Sequence, residues 1–119
     1  MTELDAEDTK LVVLAKGALG RTGGSSGAAI RDTDGRTYAA GEVALQSLRL
    51  TALQAAVAAA ISSGAEGFEV AVVVGGRLSD AGVSTVREVS AEARIVFTDR
   101  SGAIFEIVDD AAGAEVQGG

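Results

Sequence analysis

Carboxylates carry most of the chemistry this sequence could attempt. Glu42, Glu66, Glu69, Glu88 and Glu92 offer material for a general acid and base pair. They are scattered over predicted helix ends and loops, and no spacing joins two of them. They read as solvated charges that keep the protein soluble. Asp32-Thr33-Asp34-Gly35 echoes the opening of a calcium loop, with Glu42 where a closing ligand would stand. A third Asp or Asn and the flanking helices are missing, and the flanks favour strands, so Asp34-Gly35 reads instead as a type I′ hairpin turn. The glycines from Gly17 to Gly24 would let backbone N–H groups approach a phosphate closely. They follow a predicted helix instead of a strand and lack a Gly-Lys-Ser/Thr ending, which makes them a loop.

Two absences bound everything else: the 119 residues include 0 His and 0 Cys. Without them there is no thiolate metal site, no disulfide framework, no Ser-His or Cys-His nucleophile pair, and no side chain that ordinarily titrates near neutrality. With 17 acidic and 10 basic residues the net charge is −7, and no cluster of Arg or Lys reverses it locally. A nucleic-acid backbone would be repelled, so no nucleic-acid partner is expected. Glu3, Asp5, Glu7 and Asp8 make the N-terminus acidic where a signal peptide is basic, and the apolar run Leu11 to Ala15 is too short to span a bilayer. The expectation is a cytoplasmic protein with no membrane partner.

These side chains must be positioned by a core of small aliphatics, since 47% of the residues are hydrophobic and only 1 Tyr and 3 Phe are aromatic. Such a composition suits a tightly layered α/β structure. A first helix is predicted from Leu4 to Leu19, opened by a Thr2-to-Asp5 capping pattern, and a loop of Gly and Ser follows. Ala28 to Leu45 reads as a hairpin. Leu50 to Ile61 is a helix apolar on all sides, with Gln54 its one polar residue between Ala52 and Ile61 and Gly64 its stop, and it must be covered on all sides. Phe68 to Val74 is a strand buried on both faces, Asp80 to Ala91 a weaker helix, and Arg94 to Thr98 and Ile104 to Val108 are strands. The order is αββαβαββ in one domain over residues 1–110, with a frayed tail at 111–119.

Three passages between Gly27 and Gly102 resemble the cytidine deaminase family. GAAIRDTDGRTYAAGEVAL is similar to that family's opening hairpin. TALQAAVAAAISSGAEGFEVAVVV is similar to the helix and strand that begin with Cys-Ala-Glu. SDAGVSTVREVSAEARIVFTDRSG is similar to the Ser-Pro-Cys-Gly-x-Cys helix and the strand after it. The resemblance implies a three-layer α/β/α fold with a mixed five-stranded sheet. It also implies a homo-oligomer, tetramer or dimer, with the Ala-rich helix against partner subunits.

It further implies a zinc held at two helix N-termini by a Cys or His and a Cys-x-x-Cys, beside a Glu that moves protons. Counting back from Gly64 puts Thr51 at the first ligand position and Leu53 at the Glu. Counting on from Ser79 puts Ala81 and Ser84 at the two cysteines. Matching Leu50-Thr51 to the family's Leu-Thr moves the first pair to Leu53 and Ala55. No register supplies a zinc ligand, so zinc is expected to be absent and these positions are vestigial. The family's nucleoside-contacting segment reads GEVALQS here, in which Glu42 or Gln46 keeps a fragment of polar contact. Thr51, Ser79 and Asp80 read as helix N-caps. Two facing helix N-termini without zinc also offer a place for a small polar or anionic ligand. The expected function is a zinc-free, catalytically inactive homologue that binds a ligand or serves in assembly. The alternative is a nucleoside deaminase with an unconventional site.

Overall fold

The computed structural model describes residues 4–109, so the Thr2 cap and the predicted tail lie outside the described residues. Helix α1 spans Ala6–Thr22, beginning and ending later than the apolar spacing suggests. Asp5 is its N-cap, with Oδ1 accepting the Asp8 N–H at 2.8 Å, and Gly23, at φ 69°, closes it in the left-handed conformation.

Strands β1 (Gly27–Asp32) and β2 (Thr37–Gly41) form the expected antiparallel hairpin. The turn between them is not type I′, which would need φ > 0 at Asp34. Gly35 alone has it, at φ 87°. The Asp32 side chain decides this, because its Oδ1 accepts the N–H groups of Asp34 and Arg36, each at 2.9 Å, and its Oδ2 accepts the Tyr38 hydroxyl at 2.8 Å. With the Gly35 N–H bonded to the Asp32 carbonyl, the result is a type I turn closed by a left-handed glycine.

Short strands β3 (Val43–Ala44) and β4 (Arg49–Leu50) follow and pair only with each other. Helix α2 spans Ala52–Ser62, behind a capping box in which Thr51 Oγ1 accepts the Gln54 N–H at 3.1 Å while Gln54 Oε1 accepts the Thr51 N–H at 3.0 Å. Strand β5 is Phe68–Val74, helix α3 Gly82–Val89, and strands β6 and β7 are Arg94–Thr98 and Ile104–Val108.

The main sheet has the order β2-β1-β5-β6-β7, with β5 and β6 parallel and every other pair antiparallel. It is therefore the mixed five-stranded sheet expected, and alternate residues of its strands face opposite layers. Ala29, Val70, Val72, Val74 and Val96 pack with Leu11, Ala15 and Leu19 of α1. Ala28, Ile30, Ala71, Val73, Ile95 and Phe97 pack with Leu53, Ala56, Val57 and Ala60 of α2 and Val86 of α3. Helix α2 is less enclosed than its composition implies: Ala58 and Ile61 remain exposed. The layers also sit close together, since a Cβ at Gly27 would strike the Ala15 carbonyl and lie 2.7 Å from the Leu19 nitrogen.

The β6–β7 turn repeats the first turn's device. Asp99 Oδ1 accepts the Ser101 hydroxyl at 2.6 Å and the N–H groups of Ser101 and Ala103 at 2.9 and 3.0 Å, and Gly102 supplies φ 98°. Burial alone would push the Asp32 carboxyl up. The Tyr38 hydroxyl, the Arg36 and Asp34 N–H groups and the Arg36 charge outweigh it and hold Asp32 below its ordinary 3.8. Asp99 is held low chiefly by the Ser101 hydroxyl, then by the Ala103 N–H. A carboxyl depressed in the folded state stabilises the fold above its unfolded pKa, and that stability is lost as pH falls through the folded pKa. Melting temperature is therefore expected to fall between about pH 5 and pH 2, and to fall less in Asp32→Asn,Asp99→Asn; calorimetry across that range checks it.

Candidate functional site

Residues far apart in sequence meet where β5 ends and α2 and α3 begin. The β1–β5 register sets Gly27 opposite Val74, which brings Ser25 and Ser26 beside Gly75 and Gly76. Gly75 has φ 80°, its N–H bonds the Thr98 carbonyl at 2.9 Å, and a Cβ on it would strike the Ser25 carbonyl. Only glycine permits that approach. From the other side come Thr51, at the start of α2, and Arg77, Ser79 and Asp80, ahead of α3. Together with Glu42 these groups enclose a cleft of about 230 Å³. A second cleft of about 230 Å³ lies next to it, sharing Glu42 and Thr51 and walled by Val43, Ala44, Arg49, Leu50 and Gln54.

Hydrogen bonds fix two carboxylates in the first cleft. Glu42 Oε1 accepts the Ser25 N–H at 2.6 Å and the Ser25 hydroxyl at 3.0 Å. Asp80 Oδ1 accepts the Thr51 hydroxyl at 2.7 Å and the Gly82 N–H at 2.6 Å, so one oxygen ties the starts of both helices together. Thr51 is the N-cap of α2. Helix α3 starts later than expected, at Gly82, and its formal N-cap is Ala81, which offers no side-chain bond. Asp80 satisfies the Gly82 N–H from two residues upstream, while Ser79 is exposed and caps nothing.

The remaining sequence-derived positions lie around this junction or away from it. Leu53 has 0% exposure, and a Cβ on Gly82 would lie 2.7 Å from the Leu53 Cβ, so this side chain fills the space between the two helix starts. Ala81 and Ser84 are exposed on the first turn of α3, with the Ser84 hydroxyl donating to the Ala81 carbonyl at 3.1 Å. Ala55 is buried. Gln46 is exposed on the turn between β3 and β4 and lines neither cleft. The residues the sequence did not single out are Ser26, Gly75, Gly76 and Arg77, which enter through strand register. The double glycine directly after a buried strand was the available signal.

The zinc implied by the resemblance does not fit these residues. Leucine, alanine, serine and threonine stand at the positions the resemblance assigns to ligands, and no group of three His, Cys, Asp or Glu among the described residues could hold a metal ion. The nearest carboxylate, Asp80, holds a hydroxyl and a backbone N–H instead.

Solved structures share the fold. The cytidine deaminase of Burkholderia pseudomallei matches with TM-score 0.73 and 21% identity over 92% of this chain and 93% of that chain. The cytidine deaminase of Mycobacterium tuberculosis matches with TM-score 0.61 and 24% identity over 80% of this chain and 85% of that chain. That of Mycobacterium leprae matches with TM-score 0.61 and 18% identity over 76% and 87%. No curated protein matches the sequence significantly. No helix of the described residues is long and apolar enough to cross a membrane. A cytidine deaminase-like family model matches residues 4–102, and it is to this family that the chain belongs.

Proposed function

We propose that this protein is a zinc-free, non-deaminating member of its family that holds a small polar or anionic ligand between the starts of α2 and α3 and works as a cytoplasmic homo-oligomer. One observation carries the reading. Leu53, with no exposure at all, fills the junction of the α2 and α3 starts, where the resemblance puts a metal and its proton carrier. An apolar side chain there can neither coordinate nor titrate. The cleft beside it is lined by the side chains of Ser26, Glu42, Thr51, Arg77 and Asp80, which favours binding over loss of all site function. The test is metal analysis by plasma mass spectrometry together with ammonia release from cytidine and deoxycytidine at high protein concentration. The expected result is no stoichiometric zinc and no ammonia. Turnover abolished by a chelator would overturn the reading.

A second reading, a nucleoside deaminase with an unconventional site, is favoured by one feature: the carboxylates of Glu42 and Asp80 line a single cleft. It predicts chelator-resistant ammonia release that disappears in Glu42→Gln or Asp80→Asn.

Assembly is supported by exposed apolar side chains on α2 and near the cleft: Ile61, Leu45, Leu48 and Leu78 are 44, 57, 48 and 51% exposed. Leaving such surface in water costs about 25 cal/mol per Å². Light scattering is expected to give a tetramer, or failing that a dimer. Ala59→Glu, at a half-buried position next to exposed Ala58 on α2, is expected to dissociate it, whereas a parent monomer at micromolar concentration would contradict the assembly role. Neither nucleic acid nor membrane is part of this function.

A further inference from the structure

The polar groups of the first cleft divide into those already committed and those left open. Glu42 and Asp80 each accept two donors on one oxygen. Ser26 is 94% buried by its 6% exposure, lines the cleft, and its hydroxyl has no hydrogen bond among the described residues. Arg31 Nη1 is the one enclosed side-chain polar atom without a partner among the described residues, so the Ser26 hydroxyl is not sealed off but opens on the cleft, free to donate to an outside group. Arg77, on the same cleft, has no ion pair or side-chain hydrogen bond among the described residues. A guanidinium only donates, and its planar fork matches two oxygens of an acid group. Arg100 stands behind, its guanidinium on the Ser25 carbonyl at 3.4 Å and its side chain 3.3 Å from where a Gly75 Cβ would be. These two arginines offset the charges of Glu42 and Asp80, so the cleft is not closed to anions although the chain as a whole is acidic. At about 230 Å³ it is smaller than the roughly 300–1,000 Å³ of sites that enclose drug-sized ligands, which suits a compact group.

We infer that Ser26 and Arg77 make this cleft a site for a small oxyanion, the phosphate or carboxylate group of its ligand, in preference to an uncharged nucleoside. The inference rests on the cleft being a zinc-free ligand site and names the chemistry of what it holds. Ser26 donates from the buried wall and Arg77 donates its fork from the rim. Any organic body attached to the acid group extends past Glu42 and Thr51 into the second cleft, where Val43 and Leu50 give it an apolar wall.

The experiment is an amide-resolved NMR titration of the full chain with inorganic phosphate, with acetate, with cytidine, and with sodium chloride at matched ionic strength. Saturable shifts confined to residues 25–27 and 75–82 are expected with phosphate or acetate and not with chloride. The responding anion distinguishes a phosphate from a carboxylate ligand. Arg77→Gln is expected to weaken that anion about tenfold and Ser26→Ala about fivefold, each with a parent-like melting temperature. If Ser26→Ala fails to fold, Arg77→Gln alone carries the test, because its side chain is exposed. Neither anion responding, cytidine alone responding, or an Arg77→Gln response equal to the parent's would overturn the inference. Zinc content and ammonia release on the same preparation separate the two failures. A metal-loaded, deaminating protein overturns the zinc-free reading, whereas a metal-free protein indifferent to both anions overturns only the oxyanion.

Discussion

Leu53→Cys, Ala81→Cys and Ser84→Cys together are expected to give a protein that zinc stabilises by about 4 kcal/mol when free zinc exceeds its dissociation constant a thousandfold. The expectation follows from the junction of α2 and α3. Leu53 lies against Gly82, and Ala81 and Ser84 flank Gly82 on the first turn of α3. Three thiolates there would surround one point, favoured by two helix starts, with a fourth position left open. Shortening a buried leucine should first cost the metal-free variant about 2 kcal/mol or more, so calorimetry with and without zinc separates the two effects. The control replaces Leu53→Cys by Thr51→Cys. Thr51 bonds Asp80 ahead of α3 and caps α2, so that triple is expected to bind more weakly and to start from a less stable fold. If neither triple binds zinc more tightly than the parent, the vestigial-site assignment fails.

Gly27→Ala is the other substitution with a large expected effect, a loss of about 3 kcal/mol or more. The added methyl would meet the Ala15 carbonyl and Leu19 nitrogen, both backbone atoms of α1. Neither can move without lifting the helix from Ala29 and Val72. Gly20→Ala, in α1 with nothing within 4 Å of its Cβ, is the matched control and is expected to stabilise by up to about 1 kcal/mol. Urea unfolding of the pair measures layer spacing against helix propensity. Equal effects would contradict the close approach of α1 to β1.

The last three strands of the sheet were readable because each is a short run dominated by β-branched and aromatic residues, interrupted by polar side chains only at Glu69, Glu106 and the ends of β6. Phe68 to Val74, Arg94 to Thr98 and Ile104 to Val108 fall on β5, β6 and β7 with the same ends. Where one side chain decides backbone geometry the reading failed. Asp-Gly points to a type I′ turn, but the Asp32 carboxylate gathers three donors and imposes another form. Two-residue strands such as β3 and β4 are too short to show any period. In the site, Thr51 and Asp80 were legible as capping residues near a helix start. Ser26 and Arg77 were not, since their meeting depends on the pairing of Gly27 with Val74 across 47 positions of sequence. Leu53 was placed at a vestigial position, but only packing reveals that it plugs the junction.

The bond from Tyr38 to Asp32 makes the protein its own optical probe. The chain has 1 Tyr and 0 Trp, so its near-ultraviolet absorbance and emission are dominated by a single phenol. That phenol donates to a buried carboxylate, and the Asp32 hydrogen bond, with burial and the Asp32 charge, pushes its ionisation up despite Arg36. Opening the β1–β2 turn frees the ring to water and returns its spectrum toward that of free tyrosine. Fluorescence stopped-flow would therefore time the closure of one hairpin turn during folding, in unlabelled protein and without mutation.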